Sequence, residues 1–351
     1  MAFGGGPLVG LDIGTSAIRA AQVKTGRGGG AVTAFGQVPL PPDVVVDGEI
    51  RDGEAVAEAI AQLWKRAKFR SKRVVIGIAN QRVVVRQIDL PYLDEKELRD
   101  SLRFQVADHV PMPVEDAELD FEIIEDFQTE GGDHLMRVLL VAAASDMVNG
   151  FVQAASDGGL DPAGVDLTPF AVTRAVSPAA RGEVGAAGAE AVVDVGAGVT
   201  NIVVHVGGEP RFVRILLLGG DDVTRALSEG LAVPFEEAEA MKLDLGRGGG
   251  AAEATRLLGR RVDALVDEIR GSIDYYSSQE EGDPVTSVIV TGGGSLTAGF
   301  VPKLEQTLRL QIQRATPLTS LSFSKSGLTE EQAAQVDAVA AAAIGLAMGD
   351  S

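Results

Sequence analysis

AEAVVDVGAGVTNIVVHVGG, residues Ala189–Gly208, is the stretch on which the fold turns. It reads as a buried strand over Ala191–Val195, a tight glycine turn at Gly196 and Gly198, and a second strand over Asn201–Val206. Asp194 stands at the exit of the first strand. A carboxylate beside a glycine hairpin lets backbone N–H groups approach a phosphate while the acid holds the counter-cation through water. The same pattern also makes an ordinary hairpin whose Asp satisfies turn amides, so one copy does not decide between the two.

A second copy does. Leu8–Lys24, LVGLDIGTSAIRAAQVK, again gives a strand, an acid (Asp12), a turn at Gly14, Thr15 and Ser16, and a returning strand. Late in the chain Val288–Gly294, VIVTGGG, runs a β-branched strand into three glycines and Ser295, and Leu296–Leu310 follows with helical spacing. Two phosphate-type hairpins in separate halves, then a glycine-rich strand–helix turn, resemble the actin, heat-shock chaperone and sugar-kinase superfamily. That resemblance implies an α/β, actin-like two-lobe fold.

Composition sets limits. The 351 residues are 45% hydrophobic, enough for one large core or two lobes. The chain has no cysteine, which removes thiolate metal sites and disulfides. Its three histidines, His109, His134 and His205, are far apart, against a histidine metal centre or a Ser-His triad. Neither GxSxG nor GxxxxGK[ST] occurs. A net charge of −19 argues against nonspecific binding to nucleic acid or anionic lipid. The N-terminus lacks a basic region followed by an apolar one, and the longest apolar run, Ala338–Met348, is too short to span a bilayer. The expectation is a cytoplasmic protein without direct membrane insertion and without a nucleic-acid partner.

In chain order, Val32–Pro39 continues the first hairpin as a third strand. The glycine runs Gly26–Gly30 and Gly246–Ala251 read as solvated loops. Asp52–Lys68 carries a helical apolar stripe in which Trp64 is a core or boundary residue, and Lys72–Ala79 is a buried strand. From Val83 the pattern changes to strand, helix, two strands and helix. These are Val83–Leu90, Asp94–Val110 with Asp94 and Glu97 as a capping box, Glu118–Phe127, Leu135–Ala144, and Ser145–Gly158 capped at Ser145. Thirteen acids stand against three bases between Asp94 and Glu130, either a solvated face or a docking surface. Pro162–Val176 gives a strand and helix, Ser177–Gly188 a small-residue linker, and Pro210–Gly219 completes the second hairpin sheet. Helices follow at Asp221–Leu231, Pro234–Leu243 and Ala251–Tyr276. A final alanine-rich helix, Glu330–Met348, needs a close-packed partner in the first lobe.

The expected division is a first-lobe core of residues 1–82, 159–188 and 317–351, with residues 83–158 inserted as a small β-α-β-β-α subdomain. Residues 189–221 and 278–316 form the second-lobe core, and residues 222–277 its helical subdomain. The strings IDLPYLDEKELRDSLRFQVADHVPMPVEDAELDFEII (88–124) and RVLLVAAASDMVNGFVQAASDGGLDPAGVDLTPFAVTRAV (137–176) resemble the type IV pilus assembly protein PilM family. The resemblance covers Val9 to Met348. The cell-division protein FtsA is the nearest relative with such an insert. It ends in an amphipathic membrane-targeting helix, whereas this sequence stops at GLAMGDS.

The resemblance implies ATP between the lobes with Mg²⁺ at the phosphates. Asp12 and Asp194 match the acids that hold the metal's waters. Gly14, Thr15 and Ser16 match the first phosphate loop, and Gly196, Ala197, Gly198 and Thr200 the second. Arg19 stands where many relatives have Lys, and a planar fork is not a point donor. Glu239 and Lys242, three apart on one helix face, match a nucleotide clamp, with Glu239 on ribose hydroxyls and Lys242 over the purine; a surface ion pair is the other reading. Gly292, Gly293, Gly294 and Ser295 match the turn against the adenosine. For a hydrolytic water only Asp166 and Thr168 offer themselves, and both serve equally as helix caps. The implied function is an ATP-binding scaffold with weak or no turnover. It would hold the cytoplasmic tail of a membrane-anchored PilN-like partner and couple to the pilus motor ATPases. The tail would lie in a groove walled by the helix Asp94–Val110, with Leu98, Leu102 and Phe104 as apolar contacts. An FtsA-like division scaffold and a small-molecule kinase are the alternatives.

Overall fold

The computed structural model describes residues 7–24, 30–183, 188–279 and 282–349; the glycine run Gly26–Gly30 lies outside these but for its last residue. The first lobe opens with β1 (Val9–Ile13), β2 (Ala17–Lys24) and β3 (Ala31–Pro39). A short hairpin, β4 (Val45–Val46) and β5 (Glu49–Ile50), leads into α1 (Gly53–Ala67) and β6 (Arg73–Ile78). Next come β7 (Val83–Pro91), α2 (Glu95–Gln105), β8 (Ala117–Gln128), β9 (His134–Ala144) and α3 (Ser145–Asp157). The chain returns through β10 (Asp161–Leu167) and α4 (Thr168–Val176). The second lobe holds β11 (Ala189–Val195), β12 (Thr200–Val206), β13 (Glu209–Leu216), α5 (Gly220–Leu231), α6 (Phe235–Gly246) and α7 (Ala252–Ser277). It continues with β14 (Val285–Thr291), α8 (Phe300–Leu308) and β15 (Ile312–Arg314), and the chain closes with α9 (Glu330–Val336) and α10 (Ala341–Met348).

The two five-stranded sheets have one topology. Their orders, β3-β2-β1-β6-β10 and β13-β12-β11-β14-β15, each set an antiparallel meander beside two parallel strands. Beyond the paired hairpins the duplication leaves no sequence repeat, because a buried strand requires only apolar β-branched residues and not particular ones. α4, α9 and α10 fill the space between the sheets, joining Ala21, Val23 and Phe35 of the first to Val192, Val203 and Ile289 of the second.

α10 shows why the terminal helix is alanine-rich. A methyl on Gly345 would sit 1.7 Å from the carbonyl of Ala171, and one on Gly10 would sit 2.1 Å from that of Ala343. Larger residues would push the helix off α4 and β1, costing several kcal/mol of packing. The single helix expected over Glu330–Met348 is interrupted, however. The Asp337 carboxylate accepts the amides of Leu318 (2.8 Å) and Thr319, and the Ala338 carbonyl accepts the Gly292 amide at 2.8 Å. These tertiary bonds displace the α-helical ones between α9 and α10.

The insert is a three-stranded sheet, β7-β9-β8, covered by α2. The Asp94–Glu97 capping box is present. α2 stops at Gln105 and not at Val110, passing into a 3-10 turn at Ala107–His109 that buries Val106 and Val110. Ser145 does not cap α3: its hydroxyl donates to Glu118 at 2.9 Å and Ala144 occupies the cap position. α3, grouped by sequence with the insert, gives Met147, Phe151, Ala154 and Ala155 to the first-lobe core beside α1. Trp64 is a boundary residue: its indole N–H donates to the Ser71 carbonyl at 2.9 Å and its ring leans on Phe69.

Candidate functional site

The two glycine hairpins are superimposable in their bonding. Gly14 donates to the Ala17 carbonyl at 3.1 Å, and Gly196 donates to that of Val199 at 2.9 Å. In each, the acid lies two residues before the turn glycine and faces the register partner on the returning strand, Asp12 opposite Arg19 and Asp194 opposite Asn201. Directly opposed residues share a sheet face and interact. Arg19 Nη1 is 3.6 Å from Asp12, and Asn201 Nδ2 donates to Asp194 at 3.0 Å. The turns meet across the lobes: a methyl on Gly198 would lie 2.8 Å from Thr15 Oγ1. Between them runs a cleft of about 590 Å³ lined by Asp12, Gly14, Thr15, Ser16, Arg19, Asp194, Gly196, Ala197 and Gly198.

Burial governs the charge here. It pushes the Asp194 carboxyl up to about 6, the nearby Asp12 carboxylate adds to the rise, and Asn201 and Arg19 oppose it. Burial likewise raises Asp12, against the pull of Arg19. Two buried polar atoms of the same cluster, Arg19 Nε and Asn201 Oδ1, have no partner. Backbone donors, a guanidinium with an unused N–H and two carboxyls starved of solvation suit a polyanion with its cation. Among the described residues no three acids or histidines form a metal cage. The pair therefore suits a cation held largely by water and by its ligand.

The glycine-rich turn closes the second-lobe side. Gly292 has φ +85°, and a side chain there would strike the Val195 carbonyl at 2.2 Å, so only glycine fits. Gly292, Gly293 and Gly294 line the cleft. Ser295 does not: it is buried and its hydroxyl donates to the Gly292 carbonyl at 2.6 Å, bracing the turn. Thr200 is also turned away, donating to the Leu218 carbonyl at 2.7 Å. α5 begins on the second hairpin, with Gly220 and Asp221 donating to the carbonyls of Gly196 and Ala197.

Glu239 and Lys242 reach the cleft as an ion pair at 2.7 Å. Lys242 Nζ also donates to the Gly220 carbonyl at 3.0 Å and to Thr224, so it ties α6 to α5 and does not lie free over a base position. Thr224 in turn donates to Glu239. Sequence reasoning missed Asn201, which the register of an Asp-Gly hairpin points to, and the exposed Leu243 and Leu296 flanking the cleft.

The hydrolytic candidates separate. Thr168, the first residue of α4, lines the cleft, whereas Asp166, two residues earlier in β10, borders a second groove and pairs with Arg174. That groove, of about 270 Å³, lies between the insert and the first lobe. β9 supplies Leu139 and Val141, and β10 and α4 supply Val165, Leu167 and Phe170, whereas Leu119 and Phe121 of β8 border the groove but pack their side chains into the insert core beside α2. Glu118, Asp120, Glu122 and Asp166 ring it with acid. β8 and β10 are both edge strands with unpaired backbone on one side. The expected wall was α2, and the structure corrects this. Leu98 (0% exposed) and Leu102 (7%) are packed in the insert's own core, and Phe104, 86% exposed, lines no part of the groove. The wall is β8, because α2 spends its apolar face on its own sheet.

Comparison with known proteins follows the same lines. A family model described as type IV pilus assembly protein PilM matches residues 10–351. The cell division protein FtsA of Streptococcus pneumoniae serotype 2 strain D39 is 23% identical, the alignment covering 89% of this chain and 76% of that protein. Among solved structures, a PilM-PilN type IV pilus biogenesis complex is similar at a TM-score of 0.85 with 26% identity, covering 98% of both chains. MreB5 of Spiroplasma citri bound to AMPPNP shares the fold at a TM-score of 0.52 and 13% identity, over 89% of this chain and 92% of that one.

Proposed function

The chain belongs to the type IV pilus assembly protein PilM family, and from that premise we propose that it is a nucleotide-binding scaffold that docks the tail of a PilN-like partner. The groove between β8 and β10 carries the reading. It is apolar at its floor, acidic at its rim and bordered by two edge strands, which suits an extended peptide with apolar and basic side chains. The partner's membrane anchor would hold the protein at the cytoplasmic face of the membrane, near the motor ATPases. FtsA-like cell division is not favoured, since those relatives are 23–25% identical.

ATP would occupy the cleft. Its phosphates would lie against the amides of the turns at Gly14–Ser16 and Gly196–Gly198, and Asp12 and Asp194 would hold the waters of Mg²⁺. The cation would supply charge neutralisation at the phosphates. The unused Arg19 Nε–H and the empty acceptor Asn201 Oδ1 face this cluster and favour the assignment. Of the two candidates for orienting a hydrolytic water only Thr168 lines the cleft, so the reading extends to ATP binding and leaves turnover open.

A titration of a synthetic PilN N-terminal tail tests the docking. Val141→Asp and Val165→Asp should weaken binding at least tenfold, and raised salt should weaken it further through the acidic rim. Phe104→Asp should bind as the parent does. Loss with Phe104→Asp while the groove variants bind normally would overturn the assignment.

A further inference from the structure

Net charge conceals a segregated patch. Residues 64–73 read WKRAKFRSKR, so six of the 31 Lys and Arg fall within nine positions, and no acid occurs between Glu58 and Asp89. They cover the last turn of α1 and its link to β6. Lys65, Arg66, Lys68, Arg70 and Lys72 are exposed and Arg73 is half-buried. Among the described residues none of the six forms an ion pair, although most other exposed arginines of the first lobe and insert do, such as Arg51, Arg82 and Arg99. Asp161, the register partner of Arg73, is the acid the topology brings alongside, and it too forms no such pair. Complementing the negative end of α1 accounts for Lys65 and Arg66. Lys68, Arg70, Lys72 and Arg73 lie beyond the helix and have no such role.

We propose that this patch is a docking surface for the anionic lipid headgroups of a membrane, and that it seats the first lobe on the bilayer. Net charge decides against a nucleic acid. A polyanion long enough to run past the patch meets a chain of net charge −19, whereas a membrane surface can engage the patch alone. Position agrees with the docking reading, on which the choice of membrane rests. The patch begins β6 at Arg73, and the same strand reaches the partner groove at Ile78 five residues on, roughly 17 Å away. The β10 edge that borders the groove runs beside β6 to the Asp161–Arg73 end of the sheet, where the patch lies. Each base at an anionic surface is worth about fivefold in partition, so the patch binds weakly and reversibly until the partner adds a second anchor.

The full chain is mixed with phosphatidylcholine vesicles with and without about 30% phosphatidylglycerol, without partner peptide. Sedimentation reads binding. Trp64, the only tryptophan, lies in the patch and reports contact through quenching by nitroxide-labelled headgroups. The expected result is binding to the anionic vesicles alone, lost in 0.5 M salt, with Trp64 quenched. Reversing Lys65, Lys68, Arg70 and Lys72 to Glu should lower partition more than a hundredfold with the melting temperature unchanged. Reversing Arg247, Arg260, Arg261 and Lys325 to Glu, a charge-matched control, should leave it within threefold. Equal loss in the control, no preference for the anionic vesicles, an unquenched Trp64, or tighter capture of a DNA oligomer would each overturn the proposal. Tail binding in solution is read separately: retained tail binding without vesicle binding sinks only this inference, and the converse sinks only the groove.

Discussion

Replacing Asp194 by Asn should stabilise the empty protein while removing its response to Mg·ATP. The side chain pairs with Asn201 and its carboxyl is pushed up to about 6 by burial, from 3.8 in an open chain. Between those two values the folded chain holds a proton that the unfolded chain has released, so stability falls as pH rises through roughly pH 4 to 6. Above pH 6 the full cost is present. At about 1.36 kcal/mol per decade of proton affinity it is roughly 3 kcal/mol. Water in the cleft reaches part of the half-buried residue and trims this to about 2 kcal/mol. Asn keeps the shape and the contact with Asn201 but has no charge to desolvate. The empty variant at pH 7.5 should therefore melt about 3 °C above the parent, and its melting point should lose most of the fall between pH 4 and 6. Saturating Mg·ATP at a hundred times its dissociation constant stabilises the parent by about 2.7 kcal/mol. The variant, with one of two acidic anchors gone, should gain nothing. Scanning calorimetry across pH, with and without Mg·ATP, reads both effects. A destabilised empty variant, or a retained nucleotide shift, would refute the reasoning.

Gly198→Val places a side chain into Thr15 across the cleft and should weaken Mg·ATP binding at least tenfold in a calorimetric titration; unchanged affinity would mean that the turns part on binding. Leu102→Asp buries a charge in the insert's core and should cost several kcal/mol or unfold the insert, whereas Phe104→Asp should stay within about 0.5 kcal/mol by denaturant melts. With Mg·ATP and a panel of sugars and small acids, ADP release should remain far below the roughly 1–10³ per second of ordinary enzymes, and a hundredfold stimulation by any sugar would restore the kinase reading.

The parts of this protein legible in its sequence are those where the backbone itself does the work. An Asp two residues before a turn glycine, repeated in each half, fixes two hairpins whose amides and carboxylates share one geometry, and both are found. The late glycines are equally legible because a backbone at φ +85° against the Val195 carbonyl excludes every other residue. Side-chain roles were less so. Thr200 and Ser295 sit inside the right motifs yet turn to bond carbonyls of their own lobe, a choice that depends on the position of Leu218 and on the closure of the turn. Asp166 and Thr168 differ by two positions across a strand end that passes into α4, and that passage sends one to the groove and the other to the cleft.

The insert shows where periodicity stops being informative. Helical spacing puts Leu98 and Leu102 on one face of α2 and Phe104 off it. It cannot say whether that face meets a partner or the sheet the helix itself covers. Physical economy answers once β7, β9 and β8 are seen to form a sheet of only three strands, which without a helix over one face would leave Met136, Val138 and Leu140 in water. α2 is therefore committed to the insert, and the surface left for another chain is the face of β8 that looks toward β10. The acids of β8, which in sequence read equally as a solvated face, are separated from its apolar residues by strand alternation. Glu118, Asp120 and Glu122 share the groove face with their register partners Ala143, Val141 and Leu139 of β9, while Leu119 and Phe121 share the α2 face with Ala142 and Leu140.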